Sequence, residues 1–431
     1  MKERIAELFD LYANKLVQFS RERGRVSWWL FLFILALILV ATTPFPLHSQ
    51  TTPLKIANEI HQTDTDREIR GVWLTNVDSD VLFSADKTTA AIATLAESNF
   101  NTLYPTVWNW GYTLYPSKVA QDFTGLALDP TPGLQNRDVL AEIIDQGHRK
   151  DMSVIPWFEF GFMAPADSEL AQRHPQWLTQ RPDGSTIWWE GKVHQRVWLN
   201  PLRPDVQEFM TDLIVEIVSN YDVDGIQLDD HFGYPAEFGY DDFTVELYQQ
   251  EHQGQLPPED AQDPEWVRWR ADKITAFVET LFHQVKQHNS QAIVSVSPNP
   301  QNFSLNSFLL DWYRWERLGL IEELVVQVYR DSNDSFIREL EQPEMLAAKS
   351  HIPVGIGILS GLKGRPVLWD KIERQVELAR ERQFAGVSFF FYESLWNLTA
   401  ESPQSRQAAL KNLFAHQAER PHLDKFKSIL N

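Results

Sequence analysis

Three acidic residues stand at the ends of short apolar runs, where a strand would bring them to one edge of a sheet. Asp229 and Asp230 close the run DGIQLDD (224–230), and Glu159 lies near the end of SVIPWFEF (153–160). Cleavage of a glycosidic bond usually takes two carboxyl groups, one to protonate the leaving oxygen and one to act as nucleophile or to activate water. Asp229 could form that pair with either Asp230 or Glu159, and the sequence leaves the choice between these two partners open.

Each of these acids also has a plain structural interpretation. Asp229 and Asp230 could cap the turn that follows their run, and Glu159 could form a buried ion pair with an arginine such as Arg330. Glu393 is a fourth catalytic candidate, although its parity along its run is wrong for an inward side chain and it could lie in a loop. Two adjacent carboxyl groups can split their pKa values, so that one stays ionised while its neighbour holds a proton near neutrality.

The runs that carry the acids belong to a series of eight β-type runs with helical patterns between them. The eight are RGVWLT (70–75), NTLYPTVW (101–108), SVIPWFEF (153–160), DGIQLDD (224–230), AIVSVSPN (292–299), LVVQVYR (324–330), PVGIGIL (353–359) and GVSFFFYE (386–393). Apolar residues recur at helical spacing in the intervening segments 205–219, 265–287, 336–348 and 369–382. This alternation predicts an α/β fold, a (β/α)8 TIM barrel over residues 67–400, with an open doubly wound sheet as the alternative.

Side-chain alternation along these runs predicts which face of each strand points into the barrel. The aliphatic, outward-facing set is Val72, Leu74, Leu103, Val107, Ile226, Leu228, Val294, Val296, Val326, Val328, Val354, Ile356 and Ile358. Residues of opposite parity must face inward, and near the carboxyl ends of the strands they are polar or aromatic. In this scheme Asp229 points inward, whereas Asp230 lies just past the strand at the edge of the following loop unless the backbone twists there. The parity of the third and eighth runs is ambiguous, and Trp157 with Glu159, and Phe390 with Tyr392, fit the inward face better.

Aromatic and polar side chains at this mouth are the candidates for binding a substrate. The chain has 16 tryptophans, and flat aromatic rings bordered by polar groups suit the apolar faces of sugars. The substrate-binding candidates are Trp73, Tyr104, Trp108, Trp157, Asn200, His231, Asn299, Gln327, Tyr329, Arg330, Tyr392 and Trp396. Trp188 and Trp189, in a long insertion with turn signals at Pro182, Asp183 and Gly184, are the expected exposed contacts.

Composition excludes several classes of function. A formal charge of -20 argues against binding to nucleic-acid phosphates, and the absence of cysteine removes disulfides, thiolate nucleophiles and cysteine-bound zinc. A metal site would have to use Asp229, Asp230, His231 and His194, and no HExxH-type motif supports one. We therefore expect no metal and no cofactor, a polysaccharide or oligosaccharide substrate, and a monomer.

The N-terminal region has the features of an export signal. Residues 1–25 form a basic leader, and residues 26–44 contain the apolar run VSWWLFLFILALILVA. The run is short for a membrane span of about 20 residues, yet no clean A-x-A cleavage site follows, which favours an uncleaved anchor over a cleaved signal. The basic flank predicts a cytoplasmic N-terminus and an extracytoplasmic barrel, or a secreted one if the segment is cleaved. Residues 45–66 read as a linker and residues 401–431 as a helical tail.

Seven motifs together resemble the bacterial glycosyl-hydrolase-like family ten, over roughly residues 67 to 400. They are RGVWLTNVDSDVL, NFNTLYPTVWNWGYTLYPS, WFEFGFMAP, YDVDGIQLDDHFGYP, SVSPNP, VVQVYR and FFFYESLW. The resemblance implies an extracytoplasmic barrel hydrolase acting on cell-envelope glycans, in some cases peptidoglycan strands stripped of their peptides. It also implies that Glu159, Asp229 and Asp230 are the functional acids.

A more distant similarity links the fourth run to chitinase-like barrels, whose strand reads D-G-x-D-x-D-x-E. Asp224, Gly225 and Asp229 match this pattern, whereas Gln227 replaces the middle acid and His231 stands in place of the glutamate. The first hypothesis is therefore an enzyme that hydrolyses β-linked glycans containing N-acetylhexosamine. The alternatives are a catalytically silent glycan-binding barrel held at the membrane and, with less support, a metal-dependent polysaccharide deacetylase.

Overall fold

The computed structural model describes residues 67–421, and a curled parallel β-sheet forms its centre. The strands are β1 (Ile69–Leu74), β2 (Thr102–Pro105), β3 (Trp108–Asn109), β4 (Tyr112–Thr113), β5 (Ser153–Val154), β6 (Trp157–Phe158), β7 (Met163–Pro165), β8 (Trp188–Glu190), β9 (His194–Trp198), β10 (Gly225–Asp229), β11 (Ile293–Ser297), β12 (Glu323–Gln327), β13 (Val354–Leu359), β14 (Gly361–Leu362), β15 (Arg365–Pro366) and β16 (Gly386–Phe390). The α-helices are α1 (Ala85–Glu97), α2 (Lys118–Thr124), α3 (Val139–His148), α4 (Glu169–Arg173), α5 (Pro204–Asn220), α6 (Asp242–Glu251), α7 (Pro264–His288), α8 (Gln301–Phe308), α9 (Trp312–Arg317), α10 (Asn333–Leu340), α11 (Pro343–Ala348), α12 (Trp369–Glu381), α13 (Tyr392–Trp396) and α14 (Pro403–Leu413).

Nine of these strands form the parallel sheet, in the order β5-β2-β1-β16-β13-β12-β11-β10-β6. The two end strands, β5 and β6, are separated along the chain only by Ile155 and Pro156, and Thr106 bridges to Trp157, so the ends of the curled sheet meet. All eight β-type runs contribute to this sheet, which confirms the α/β class and the parallel arrangement. The third run differs from the prediction because it is split into β5 and β6.

The two faces of the sheet divide as side-chain alternation predicts. Every member of the aliphatic outward set lies in the large hydrophobic core beneath the surrounding helices. A separate small cluster fills the inside of the curled sheet and contains Trp73, Tyr104, Ile155, Trp157 and Val325, with Phe390 packed against it. The parity prediction is confirmed for Trp73, Tyr104, Trp157 and Phe390.

Helices cover the outside of the sheet, and their ends are set by local sequence. The long helix α7 begins at Pro264, whose missing N–H is harmless in the first turn, and the Asp263 carboxylate accepts hydrogen bonds from the N–H groups of Glu265 and Trp266. Helix α7 packs against α5, and α1 packs against α3. Their buried apolar stripes hold the sheet in its curled form.

The amino-terminal end of the sheet is filled by a charged cluster. Glu323, the first residue of β12, is buried and pairs with Arg420, while its Oε1 accepts from the Tyr104 hydroxyl at 3.0 Å. Glu68, just before β1, pairs with both Arg70 and Arg380. The chain after α14 therefore returns to this end and inserts an arginine into it.

A three-stranded antiparallel sheet, ordered β7-β9-β8, rises beside the carboxyl ends of the parallel strands. It lies in the connection between β6 and α5, the insertion in which exposed tryptophans were predicted. Trp189 is 52% exposed, whereas Trp188 is partly buried and its ring lies 5.9 Å from that of Trp198. The prediction of exposure therefore holds fully for Trp189 alone.

Between residues 67 and 421, no helix is both long enough and apolar enough to cross a membrane. The predicted leader (1–25), anchor or signal segment (26–44) and linker (45–66) lie outside the described residues. Helix α14 lies within the predicted C-terminal tail, of which residues 401–421 are described.

Candidate active site

The three predicted acids meet at the carboxyl ends of neighbouring strands. Asp229 is the last residue of β10, Asp230 opens a single 3-10 turn (Asp230–Phe232), and Glu159 follows β6, which pairs directly with β10. A tight turn follows Glu159 at Gly161, whose φ is +48° and where a Cβ would lie 2.4 Å from the carbonyl oxygen of His231. The backbone around the acids is therefore packed too closely for any other residue at position 161.

The acids line a cavity of about 670 Å³ at this end of the sheet. Its walls come from strand ends and from the β7-β9-β8 sheet. The lining residues are Val77, Trp110, Tyr112, Trp157, Glu159, Phe160, Pro165, Asp167, Ser168, Glu190, Gly191, His194, Arg196, Asp229, Asp230, His231, Gln327, Tyr329 and Phe390. Aromatic rings alternate with carboxyl and amide groups around it, which is the composition that suits a sugar.

Asp229 is buried and held by donors on both oxygens. Its Oδ1 accepts from Ser297 Oγ at 3.0 Å and from Gln327 Nε2 at 2.8 Å, and its Oδ2 lies 3.0 Å from His231 Nδ1. Burial, followed by the charge of Asp230, raises the pKa of Asp229 well above its usual value. This carboxyl is thus fixed in place and holds its proton more tightly than an exposed aspartic acid.

His231 links the three acids. Its Nδ1 lies 2.8 Å from the carbonyl oxygen of Glu159, which can only accept, so Nδ1 carries a hydrogen. Burial disfavours the charged ring, but Asp230 and Asp229 outweigh that effect and raise the pKa of His231 to about 10. The imidazolium is therefore stabilised first by the charge of Asp230 and then by the hydrogen bond to Asp229.

Asp230 lies just past the strand, as predicted, and its side chain still lines the cavity. The 3-10 turn that begins at Asp230 rotates its side chain towards the mouth, where Asn299 Nδ2 donates to its Oδ2 and His231 Nδ1 lies 3.1 Å from its Oδ1. Asn299, a predicted substrate contact, is outside the cavity lining and instead orients Asp230.

Glu159 is the acid with a free oxygen. Its Oε2 accepts from Thr75 Oγ1 at 2.8 Å, Thr106 Oγ1 at 2.9 Å and Asn109 Nδ2 at 2.9 Å, while its Oε1 has no partner among the described residues. Burial raises the pKa of Glu159 to about 7 against the opposing hydrogen bonds from the two threonines. Because Oε2 already accepts three hydrogen bonds, the proton resides on Oε1. Near neutral pH, Glu159 is then poised to donate it.

Arg330 is not the partner of Glu159. It pairs with Glu339 of α10 at 3.0 Å, so the expected alternative of a buried Glu159–Arg330 ion pair is wrong, and Arg330 is also outside the cavity lining. The guanidinium reaches outward to the following helix instead of inward.

The structure brings Asp229, Asp230 and His231 close enough to be considered as ligands of a cation, since one oxygen or nitrogen of each lies within 4.8 Å of the others. The ring nitrogen within hydrogen-bonding distance of both carboxylates is Nδ1, which already donates to the Glu159 carbonyl. A nitrogen that carries hydrogen has no lone pair for a metal. The arrangement favours proton sharing, and His194 stands apart from it on β9.

Four predicted substrate contacts do line the cavity, namely Trp157, His231, Gln327 and Tyr329. Trp157 is buried, and its indole N–H has no hydrogen-bond partner among the described residues. Burial, followed by the charges of Asp229 and Asp230, raises the pKa of Tyr329 well above its usual value, so its hydroxyl stays protonated. The Tyr329 hydroxyl is therefore available as a donor to a sugar, whereas the indole N–H of Trp157 is buried.

Other predicted contacts are buried away from the cavity. Trp73 and Tyr104 lie deeper inside the sheet, where Trp73 Nε1 donates to Gln227 and the Tyr104 hydroxyl to Glu323. Trp108 was predicted to face inward, but it packs in the outer core against Phe209, because its indole donates to the Gly161 carbonyl beyond the strand end.

Asn200 is also buried, in a polar network with Asp241 and Thr244. Asp241 and Thr244 accept both hydrogens of its amide, and its Oδ1 accepts from the N–H of Leu202, so the side chain is used within the fold.

The last group of predicted residues lies on α13, beyond the end of β16. Tyr392 and Trp396 pack against each other with ring centroids 6.1 Å apart, and the Glu393 carboxylate accepts from Asn397 at 2.9 Å. Burial raises the pKa of Glu393, but none of these three residues lines the cavity. The strand ends at Phe390, so parity arguments carried past that residue fail.

Sequence reasoning missed Glu190 and Arg196, which form a salt bridge at 2.7 Å in the cavity wall. They stand on β8 and β9, outside the eight runs that form the parallel sheet. The alternating pattern of HQRVW (194–198) is the signal that could have revealed a strand and placed His194 and Arg196 on one face.

The sequence is similar to that of a described family and to those of two bacterial glycosyl hydrolases. Residues 68–376 match the model of a family described as Glycosyl hydrolase-like 10. The chain is 25% identical over 341 residues to glycosyl hydrolase DigH of Escherichia coli (strain K12), covering 69% of this chain and 74% of that one. It is 22% identical over 284 residues to glycosyl hydrolase YngK of Bacillus subtilis (strain 168), covering 62% of this chain and 49% of that one.

Solved structures with a similar fold include two glycosidase domains. The PgaB (BpsB) glycoside hydrolase domain from Bordetella bronchiseptica aligns with a TM-score of 0.54 at 13% identity, covering 78% of this chain and 100% of that chain. The catalytic domain of β-amylase from Paenibacillus polymyxa aligns with a TM-score of 0.55 at 11% identity, covering 81% and 98%. At these identities the likeness concerns the fold alone.

Proposed function

The chain belongs to the glycosyl hydrolase-like 10 family, and we propose that it cleaves β-linked N-acetylhexosamine polymers of the cell envelope, such as peptidoglycan strands stripped of their peptides. The observation that carries this proposal is the convergence of Glu159, Asp229 and Asp230 on one cavity, with the free oxygen of Glu159 holding a proton near neutral pH. Glycosidic cleavage needs a protonated carboxyl together with an ionised one.

The acids have different roles in this proposal. Glu159 protonates the glycosidic oxygen through Oε1 as the bond breaks. Asp230, the more accessible aspartate, faces the positive charge that develops on the sugar ring and acts as nucleophile or base. Asp229 and His231 are positioning residues, because both contact Asp230 and together set the charge beside it.

The surrounding walls support a sugar as the substrate. The rings that line the cavity are those of Trp110, Trp157, Phe160 and Phe390, and the Tyr329 hydroxyl offers a donor for hydroxyl and acetamido oxygens. The envelope glycan itself rests on the family resemblance of the sequence.

The setting of the enzyme belongs to the same proposal. We infer that the curled sheet works as a (β/α)8 barrel whose mouth carries the active site, and that this barrel acts as an extracytoplasmic monomer. Residues 26–44 would anchor it to the membrane or direct its secretion.

The proposal is tested by the release of new reducing ends from purified, peptide-free peptidoglycan strands. We expect wild-type protein to release them, and Asp230→Asn to lower kcat by a factor on the order of 10² or more, because a charge-stabilising carboxylate is lost. Glu393→Gln is a matched control, since it also removes a carboxyl with a raised pKa but outside the cavity, and it should retain the wild-type rate. Binding of strands without release by wild-type protein would favour a silent glycan-binding barrel and contradict the proposal.

A further inference from the structure

The cavity wall contains five acidic groups and a single guanidinium. Glu159, Asp167, Glu190, Asp229 and Asp230 all line the cavity, whereas Arg196 is the one lysine or arginine that does so among residues 67–421. His231 is the other cationic group of this wall, but Asp229 and Asp230 already contact its Nδ1, so an anionic substituent depends on Arg196 for a charge partner. The placement of the lone arginine therefore bears on which sugars the cavity accepts.

Arg196 is built into the wall with one edge left free. It is 9% exposed, its Nε and Nη2 lie 2.8 Å and 2.7 Å from the same oxygen of Glu190, and its Cζ lies 5.0 Å above the ring of Phe160. Its Nη1 has no partner among the described residues, nor does Oε1 of Glu190. A planar guanidinium held along one edge presents its other edge in the geometry that receives a carboxylate.

Arg196 and the acids line the same cavity, and Phe160 lies near both groups. Its ring contacts the Arg196 guanidinium, and its centroid lies 6.1 Å from that of His231. His194 projects from the same face of β9 as Arg196, two residues earlier, and also lines the cavity. A substituent on the sugar beside the scissile bond would meet both side chains.

We propose that Arg196, with His194, determines specificity by binding a carboxylate carried by a substrate sugar, so that the enzyme prefers acidic glycans over neutral ones. This inference rests on the proposed function and narrows its substrate to carboxylated hexosamine polymers, such as those with a lactyl ether on alternate sugars. Glu190 fixes the guanidinium and at the same time competes with the substrate for it.

The test compares two forms of one substrate. Oligosaccharides from peptide-free peptidoglycan strands carry lactyl carboxylates, and their methylamides have the same rings without the charge. For wild-type protein we expect kcat/KM to be higher for the acid form. Arg196→Gln should lower the ratio of acid to amide kcat/KM about tenfold or more, because a charge-assisted, bidentate contact is lost.

Two further variants separate this role from mere support of the wall. Glu190→Gln should raise the acid-to-amide ratio, since it removes a competing charge. Arg203→Gln is the matched control. Arg203 also binds a carboxylate, that of Asp205, through Nε and Nη2, and its Cζ also lies 5.0 Å from a phenylalanine ring centroid, but it does not line the cavity. This variant should leave the acid-to-amide ratio of kcat/KM unchanged. If Arg196→Gln slows both forms equally, the proposal is wrong.

Failure of the proposed function would be distinguishable from failure of this inference. If wild-type protein hydrolyses neither form, calorimetric titration with the same two oligosaccharides gives the ratio of their Kd values instead. An acid preference that Arg196→Gln abolishes would then support the carboxylate site without the hydrolase. Equal binding of both forms, or a preference that survives Arg196→Gln, would overturn it.

Discussion

The two ends of the curled sheet both bury carboxyl groups, and they differ in what faces those groups. At the amino-terminal end Glu323 meets Arg420, and Glu68 meets Arg70 and Arg380. At the carboxyl end no lysine or arginine of residues 67–421 pairs with Glu159, whose Oε2 accepts from hydroxyl and amide groups.

This difference separates buried acids that an arginine neutralises from one whose pKa is raised by burial. A guanidinium stays charged at any physiological pH, so a buried carboxylate beside it is neutralised in place and has no proton to give. Neutral donors leave most of the burial penalty uncompensated, and the pKa of Glu159 rises to about 7. A buried acid without an arginine is therefore the better indicator of a site than burial or acidity alone.

The largest expected effect is on kcat, and it is measured by replacing one buried glutamate at each end of the sheet with glutamine. Glu159→Gln should lower kcat on peptide-free peptidoglycan strands by a factor of about 10² to 10⁴, the usual contribution of a positioned general acid. Glu323→Gln should change kcat less than about threefold, because Glu323 lies at the opposite end of the sheet and lines no part of the cavity. Similar losses of kcat in the two variants, with both still folded by circular dichroism, would break the distinction between the ends.

Part of the carboxyl end, but not the contrast between the two ends, could be predicted from the sequence. Alternation along the runs identified the interior position of Trp157, the outward aliphatic set and the acids Asp229 and Glu159, because a strand within a parallel sheet keeps a strict period of two. Beyond the end of a strand, alternation no longer gives the orientation of a side chain. Asp230 turns into the cavity through a 3-10 turn, and Trp108 leaves the interior.

Other parts of the two ends depend on contacts that no local pattern encodes. Arg420 reaches Glu323 across 97 positions of sequence, and Arg196 enters the cavity from a separate antiparallel sheet. The hydrogen bonds that distinguish Glu159 from Glu323 come from residues 75, 106 and 109 in one case and from residues 104, 295 and 420 in the other. Side chains so far apart in the sequence meet only when the strands assemble into the curled sheet.

The next effect is on stability, and it should be large at the amino-terminal end. Arg420→Gln leaves the buried charge of Glu323 without its counter-ion and should lower the free energy of unfolding by about 3 to 5 kcal/mol. Arg330→Gln breaks the partly exposed pair with Glu339 near the mouth and should cost about 0 to 1 kcal/mol. Denaturant titration of both variants at pH 7 measures the two values. Equal and small losses would show that Arg420 does not neutralise Glu323.

The smallest expected effect is a change with pH in the free energy of unfolding, and it comes from Glu159. The folded protein binds the proton of Glu159 more tightly than the unfolded chain does, since burial raises the pKa from an ordinary value of 4.5 to about 7. This contribution to stability is fully present below about pH 4.5 and is lost as the pH rises through 7, by about 3 kcal/mol as an order of magnitude. Glutamine does not titrate, so Glu159→Gln should gain stability relative to wild type across that interval, in denaturant titrations at pH 4.5, 6 and 8. Stabilities of wild type and variant that run parallel with pH would mean that Glu159 is ionised in the folded protein, and it would then serve as the base or nucleophile instead of the acid.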